Sequence, residues 1–493
     1  MVNKLEMCEN MYIESNLTSR EEMNMNTLKQ EWFGNVRADI LAGIVVGLAL
    51  IPEALAFAFI VGVDPRVALY ASFTIAVIIS FVGGRPGMIS AATGAMALVL
   101  VSLMANHGLE YVLAATILTG IIQIIMGMLG VANLMRFIPN SVMLGFVNAL
   151  GIMIFITQMP YLIGFNTMTY VFAIVTLILV YVIPRFLKVI PAPLVAIVVM
   201  TTVALVSGVN LQSIGDLGTM PNTLPTFFLP DIPLNLETLK IILPYSLALS
   251  VVGLLESLLT AQVLDEMTDT ESNKHREARG QGIANFINGF FGGMAGCALI
   301  GQSVINVKSG GRGRLSTFTA GVFLMFLIIV LGDLVVKIPM PVLVGVMIMV
   351  SMTTFNWGSF KFLKQAPKSE AFVMLMTVAI ILYTQNLAIG VVIGVIISAL
   401  IFVGKISRVT VEQEGNLFKV KGPLFFASTT KFTQFFQGIE TRDITIDFSN
   451  SQLWDESAVG AIVKVKEQLE SKGIAVRMVG LNATSAELLE RLT

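Results

Sequence analysis

Two glutamates stand inside segments that are long and apolar enough to cross a membrane. Glu53 lies in LAGIVVGLALIPEALAFAFIVG, and Glu256 lies in LALSVVGLLESLLTAQVL. A carboxylate inside a bilayer is costly, so such residues are candidate functional groups. The four residues VVGL precede both glutamates, at 45–48 and 251–254, which suggests that one ancestral unit is used twice around one site.

Two Gly/Ala/Ser-rich stretches, one in each half of the chain, interrupt other apolar segments. If residues 87–91 and 297–301 are extended, half-helices begin near Thr93 and Gly301. The first N–H groups of a helix have no intrahelical partner and form its positive dipole end. Two such ends at mid-membrane depth would bind an anion without any Lys or Arg. Close helix packing through small residues is the alternative interpretation.

Interrupted spans are typical of transporter sites. The span of Glu53, which Pro52 is expected to break, and the span of Glu256 form a second matched pair. Phe57 follows Glu53 by one turn, and the hydroxyl of Thr260, one turn after Glu256, is able to bind an ion or substrate. Either residue also fits ordinary helix packing. Because a protonated carboxylate does not repel an entering anion, we hypothesise that Glu256 titrates during transport, with Glu53 as the second candidate.

The composition indicates a polytopic membrane protein. Hydrophobic residues make up 55% of the 493 residues and charged residues only 13%, whereas soluble proteins average about 25% charged residues. Two separated cysteines and two histidines predict neither a disulfide nor a metal site. The sequence contains no Walker A pattern and no nucleophile–base pair, which argues against an enzyme. The net charge of −1 gives no reason to expect a nucleic-acid partner.

The chain divides by composition into three parts. Residues 1–36 are polar and lack a signal-peptide pattern. Residues 37–404 are the expected transmembrane domain, with repeats at about 37–210 and 237–404. Hydropathy alone allows ten to fourteen spans. A fourteen-span arrangement with both termini in the cytoplasm places nearly every Lys/Arg cluster inside, as the positive-inside rule requires.

The alternation of strand and helix patterns over residues 408–493 predicts a small α/β domain. Alternating strands with a Gly-Asn turn are expected over 409–421, and further strands over 443–449 and 474–481. Residues 457–472 fit an amphipathic helix, and 484–492 a short one.

The chain resembles the SulP family of anion transporters over nearly its whole length, from about residue 33 to 493. The matching stretches are IPEALAFAFIVGVDPRVALYASF, GLLESLLTAQVLDEMTDT, RGQGIANFINGFFGGMAGCALIGQSVINVKSGGRGRLS and GPLFFAS…DFSNSQLWDESAVGAI. The resemblance implies an α-helical polytopic membrane protein of about fourteen spans in a seven-plus-seven inverted repeat. It also implies core and gate domains and a C-terminal cytoplasmic α/β STAS domain.

The resemblance further implies a substrate site between spans 1, 3, 8 and 10. Carried over to this sequence, Glu256 and Thr260 become the ion-coupling candidates. The substrate-binding candidates from the three other spans are Glu53, Phe57, Gly94, Ala95, Met96, Leu299, Ile300, Gly301, Gln302 and Ser303.

Two departures from the family pattern bear on coupling. Sodium-coupled bicarbonate members have Asp at the Glu256 position and small or hydroxyl residues where Leu299 and Ile300 stand, so the proton is favoured here, with sodium as the alternative. Animal members have Arg at the Gln302 position, so this site is less positive. Ser457 matches a serine that bacterial relatives of the STAS domain phosphorylate, but a helix N-cap is the favoured interpretation.

These observations predict a secondary active transporter of a small anion, such as sulfate, bicarbonate or a dicarboxylate, in the plasma membrane. Proton-coupled symport by an elevator-type movement is expected, with no cofactor besides the coupling ion. The STAS domain is expected to support a homodimer or to bind a cytoplasmic regulator. The alternatives are an uncoupled channel or exchanger, a membrane-bound sensor and a nucleobase permease.

Overall fold

The structure, a computed structural model, describes residues 28–163, 166–186, 190–216, 223–233, 235–439 and 441–493. The chain forms two compact units, which divide between Ile393 and Gly394. Most of the predicted N-terminal segment, residues 1–36, lies outside the described residues.

The first unit is built from apolar helices. Among the described residues, nine helices are long and apolar enough to cross a membrane, and two shorter ones are also apolar. Three less apolar segments bring the total in the described part to fourteen, the number that the resemblance implied. The first half contains α1 (Val36–Val61), α2 (Pro65–Val82), β1 (Ser90–Ala92), α3 (Gly94–His107), α4 (Leu109–Met128), α5 (Asn140–Gln158), α6 (Thr167–Val182) and α7 (Ala192–Ser207).

The second half has the same order of elements, with one short additional helix, α13. It contains α8 (Leu236–Thr268), α9 (Lys274–Phe290), β2 (Gly296–Ala298), α10 (Ile300–Lys308), α11 (Arg314–Val335), α12 (Met340–Thr354), α13 (Ser359–Gln365), α14 (Lys368–Thr384) and α15 (Leu387–Ile406). In each half the third segment is a three-residue strand followed by a short helix.

The packing repeats when the two halves are exchanged. Helix α4 packs against α9 as α11 packs against α2, and α5 packs against α14 as α12 packs against α6. Strands β1 and β2 pair antiparallel, with Ser90 opposite Ala298 and Ala92 opposite Gly296. The seven-plus-seven repeat is therefore visible both in the helix contacts and in the strand pair.

Helix contacts divide the first unit into two bundles. The core bundle consists of α1–α4 and α8–α11, and the gate bundle consists of α5–α7, α12 and α14. Contacts between the bundles are sparse and mainly join α1 to α7 and α12, and α3 to α5. These two bundles correspond to the core and gate domains that the resemblance implied.

The expectation that Pro52 breaks the first span is wrong. Helix α1 is continuous through Pro52, and α8 is continuous through Pro244. Neighbouring helices compensate for the backbone hydrogen bond that a proline removes inside a membrane bundle. Glu53 and Glu256 therefore lie on unbroken helices, and the matched discontinuity belongs to the two strand–helix segments.

The C-terminal unit is a small α/β domain. Its sheet has the order β3 (Thr410–Glu414), β4 (Leu417–Lys421), β5 (Asp443–Asn450) and β6 (Ala475–Val479), with the first pair antiparallel and the others parallel. Its helices are α16 (Thr429–Phe435), α17 (Glu456–Glu470) and α18 (Ala483–Leu492). The predicted strands and amphipathic helix are confirmed, and the apolar face of α17 packs into the domain core.

Candidate functional site

The strand pair lies inside the core bundle and is held by amide side chains. Asn285 of α9 donates to the carbonyl of Gly296 and accepts from its N–H, both at 2.9 Å. The same side chain donates to Gln123 of α4, and Gln281 donates to the hydroxyl of Ser90. These amides contribute to the low hydropathy of α9, although hydropathy alone did not reveal their role.

Helices α3 and α10 leave the two ends of this strand pair in opposite directions. Thr93 is the N-cap of α3, and its hydroxyl accepts from the N–H of Met96 at 3.4 Å. Helix α10 begins at Ile300 after the extended Leu299. The prediction that half-helices begin near Thr93 and Gly301 is accurate to within one residue.

Glu53 and Gln302 connect α1 to α10. The Gln302 amide lies close enough to interact with the Glu53 carboxylate, which is partly exposed. Gly301 is exposed, and a Cβ built on it would meet no atom within 4 Å. The neighbouring Ile300 is half-buried. The start of α10 thus borders open space, and its Gln302 side chain connects it to the partly exposed Glu53.

The start of α3 is closed by one residue from each bundle. A Cβ on Gly94 would lie 3.0 Å from Cε1 of Phe57 on α1 and 3.2 Å from Cδ1 of Ile154 on α5. Ala95 is buried beside it. Ile154 belongs to the gate bundle, and nothing in its apolar sequence surroundings distinguishes it, so sequence analysis missed it.

Glu256 is nearly buried, with 8% of its surface exposed, and it contacts β2. The thiol of Cys297 donates to Oε2 of Glu256 at 3.0 Å, and the same sulfur lies 3.2 Å from Oγ1 of Thr93. Thr260 donates to the backbone carbonyl of Glu256 at 2.7 Å, so its hydroxyl hydrogen is used within α8. Sequence analysis identified Glu256 but gave Cys297 no role.

Three predicted site residues have structural partners. Met96 is buried against α8, where a Cβ on Gly253 would lie 3.0 Å from its Cε. Ser303 accepts from the N–H of Ile89 at 3.0 Å, and the N–H of Leu299 donates to the carbonyl of Ile89 at 2.9 Å. These contacts fix the strand pair rather than offer free groups to a ligand.

A cavity of about 560 Å³ lies between α3, α5, α8 and the α14–α15 connection. Leu98 and Met153 border it. Leu98 is one turn after Gly94 on α3, and Met153 precedes Ile154 on α5, so the cavity lies next to the Gly94–Ile154 contact. Its lining residues include neither Glu53 nor Glu256, and none of them is charged. Neutral hydrogen-bonding groups line it instead, on Ser102, Thr157, Tyr245, Thr384, Gln385 and Asn386.

In the C-terminal unit, Ser457 is not the cap of α17. Asp455 is the N-cap, and its carboxylate accepts from the N–H of Ala458 at 3.0 Å. Ser457 is the second residue of the helix and is exposed. The capping interpretation is therefore wrong, because the aspartate two residues earlier takes that role.

The sequence matches the Sulfate permease family over residues 36–178 and 164–377 and the STAS domain over residues 407–493. A Bacillus subtilis protein named "Putative sulfate transporter YbaR" is 55% identical over 475 residues, which are 95% of this chain and 99% of that protein. The chain belongs to the sulfate permease family. Its members found by sequence are named as transporters, and this chain is a transporter, not an enzyme.

More distant relatives match over most of their length. The bicarbonate transporter BicA of Picosynechococcus is 28% identical over 415 residues, covering 77% of this chain and 72% of that protein. The solved transmembrane domain of a cyanobacterial BicA is 26% identical, with a TM-score of 0.64, and covers 74% of this chain and 97% of that one. Murine Slc26a9 in an inward-facing state has the same fold, with a TM-score of 0.81 at 17% identity. The match covers 94% of this chain and 88% of Slc26a9.

Proposed function

We propose that this protein is a secondary active transporter that moves a small oxyanion or carboxylate together with a proton. The observation that carries the proposal is the nearly buried carboxylate of Glu256, which hydrogen-bonds to the strand that precedes one half-helix. Entry of an anion favours protonation of a carboxylate in that position, because two negative charges repel strongly at short range in a medium of low dielectric constant.

The substrate binds beside Glu53, at the start of α10. The open space at Gly301 and the unpaired N–H groups of a helix N-terminus favour a small anion there. The relatives are named for sulfate and for bicarbonate, so these two anions, with dicarboxylates as the third class, are the substrates to test first.

Movement of the core bundle past the gate bundle would carry the site across the membrane. The sparse contacts between the bundles support this elevator-type mechanism, and the hydrogen-bonded strand pair supports motion of the core bundle as one body. If the Lys/Arg clusters lie inside, the neutral cavity near Tyr245 and Asn386 would open toward the exterior of the membrane. The STAS domain would then lie in the cytoplasm, where it supports a homodimer or binds a regulator.

Uptake into proteoliposomes that contain the purified protein tests the proposal. Labelled sulfate, bicarbonate, succinate and chloride are compared, while the proton and sodium gradients are varied independently. We expect an inward proton gradient to accelerate uptake of one or more of these anions and sodium to have no effect. Stimulation by sodium alone would favour the sodium-coupled alternative, and flux that no gradient accumulates would favour an uncoupled conductor.

Glu256→Gln provides the residue-level test. It should abolish accumulation driven by the proton gradient while leaving anion exchange measurable. Glu237→Gln is the matched control, because Glu237 lies in the first turn of the same helix and is exposed. Proton-driven accumulation that survives in Glu256→Gln would refute the assignment of the coupling group.

A further inference from the structure

Three side chains from three different segments form one hydrogen-bonded chain inside the core bundle. Glu256 of α8 accepts from the thiol of Cys297 in β2 at 3.0 Å, and the thiol sulfur lies 3.2 Å from the hydroxyl of Thr93. Thr93 is the N-cap of α3 and accepts from the N–H of Met96. Cys297 and Thr93 are fully buried, so the chain is shielded from water.

The number of hydrogens fixes the direction of this chain when Glu256 is ionised. A carboxylate only accepts, so the single hydrogen of the Cys297 thiol points to Glu256. The sulfur then has lone pairs but no second hydrogen, and the Thr93 hydroxyl donates to it. In this state the Thr93 hydroxyl hydrogen is directed away from the start of α3.

Protonation of Glu256 on Oε2, the oxygen that faces the thiol, reverses the direction. The new carboxyl hydrogen donates to the Cys297 sulfur, the thiol hydrogen turns to the Thr93 oxygen, and the Thr93 hydroxyl hydrogen is released. One proton is added to Glu256, and the thiol and hydroxyl hydrogens only rotate. The released hydroxyl hydrogen is then free to donate to an acceptor at the N-terminus of α3.

We propose that Cys297 and Thr93 are positioning residues that transmit the protonation of Glu256 to the N-terminus of α3, the second of the two half-helix ends that the sequence predicts to bind the anion. A buried hydroxyl hydrogen without an acceptor is costly, so its release at the helix N-terminus favours an arriving anion. Proton and anion therefore bind cooperatively, and by reciprocity each raises the affinity for the other. This inference rests on the proposed proton coupling and adds the path by which it acts.

Among the described side chains packed around α8, no titratable group other than Cys297 faces Glu256. Cys297 is the one that contacts it, and Tyr245 and Asp265 are more than two turns away along α8. Those of the neighbouring helices lie in the last turn of α3 and α10, the first turn of α4 and the first two turns of α9, at His107, Glu110, Tyr111, Lys274, His275, Arg276, Glu277, Arg279 and Lys308.

The test compares paired variants of the full-length protein in proteoliposomes, with KM for the transported anion measured across pH. Cys297→Ala and Thr93→Val interrupt the chain, whereas Cys297→Ser and Thr93→Ser keep a hydroxyl at each position. Size-exclusion elution in detergent reports on the folding of each variant. Two independent pairs keep the test decisive if one interrupting variant does not fold.

For the wild-type protein, we expect KM to fall by about fivefold or more from mildly alkaline to mildly acidic pH, as coupled sites do. The Ala and Val variants should lose this pH dependence, and the two Ser variants should retain it. A purely structural role would change the amount of folded protein or KM at every pH alike. If the wild-type pH dependence persisted in Cys297→Ala and Thr93→Val, this inference would be overturned but the proposed proton coupling would stand. If the wild-type protein showed no dependence on pH or on the proton gradient, both would be overturned.

Discussion

Three glycines at the candidate site should respond to the same substitution in a predictable order. A Cβ on Gly301 would meet no atom within 4 Å, whereas one on Gly94 would lie 3.0 Å from the Phe57 ring. A Cβ on Gly296 would lie 2.2 Å from the carbonyl oxygen of Ala91, the residue next to its partner in the strand pair. We expect Gly→Ala to be increasingly destabilising from Gly301 through Gly94 to Gly296.

The distances set the magnitudes. In a helix, Ala is favoured over Gly by about 0.5–1 kcal/mol, so Gly301→Ala should be neutral or slightly stabilising. At Gly94 that gain is offset, because the Phe57 ring and Ile154 must move by a few tenths of an ångström. At Gly296 the obstacle is backbone, which has no rotamer to change, so the cost should be about 1–3 kcal/mol or more from overpacking.

Thermal unfolding in detergent, followed by size-exclusion chromatography, measures the order of stability, and uptake measures the effect on binding. Gly301→Ala should fold like the wild type but raise KM, because its methyl group occupies the space beside Glu53. Gly296→Ala should lower both the melting temperature and the yield of folded protein. If Gly296→Ala melted with the wild type, or if Gly301→Ala were the least stable of the three, the proposed packing of the strand pair would be wrong.

Three further predictions concern stability. Arg314→Met leaves the two buried carbonyl acceptors of this guanidinium unpaired and should cost about 1–3 kcal/mol for each acceptor. Arg66→Met, at a half-exposed ion pair, should cost at most about 1 kcal/mol in the same detergent melts. Hydrogen bonds from Ser449 hold the pKa of Asp447 below its usual range, so Ser449→Ala should be less stable at neutral pH, and denaturant titrations should show this difference vanish as the pH falls through the wild-type pKa. Asp455→Ala should destabilise the C-terminal domain by about 1 kcal/mol through loss of a helix cap, measured by denaturant titration.

The sequence predicted the parts of the fold that depend on local pattern. Span positions, the two half-helices and the strands of the C-terminal domain all follow from hydropathy, small-residue runs and alternation. Pro52 misled the analysis because its helix-breaking tendency is a local property, whereas the packing that tolerates it is tertiary. Ser457 misled it for a related reason, since Asp455 and Ser457, two residues apart, are both possible caps and Asp455 takes that role.

The candidate site was predicted less completely, since several of its contacts join residues from opposite halves of the chain. Gln302 was named as a substrate-binding candidate, but its partner Glu53 lies on α1, about two hundred and fifty positions earlier. Ile154 has no polar group by which a pattern search would identify it. The amides of α9 were visible as polar residues in a span, yet only the strand pair explains what they bind.

The two glutamates differ in what surrounds them, and this difference bears on their separate roles. Glu53 is partly exposed beside an open volume and has an amide partner, so it is placed to meet substrate and solvent. Glu256 is nearly buried and is linked through Cys297 to Thr93, so a change in its charge is felt at the start of α3. A group that touches the anion selects it, whereas a group that acts through a shielded chain changes affinity without occupying the site. The same VVGL sequence thus precedes two carboxylates whose roles are set by tertiary contacts rather than by the repeat.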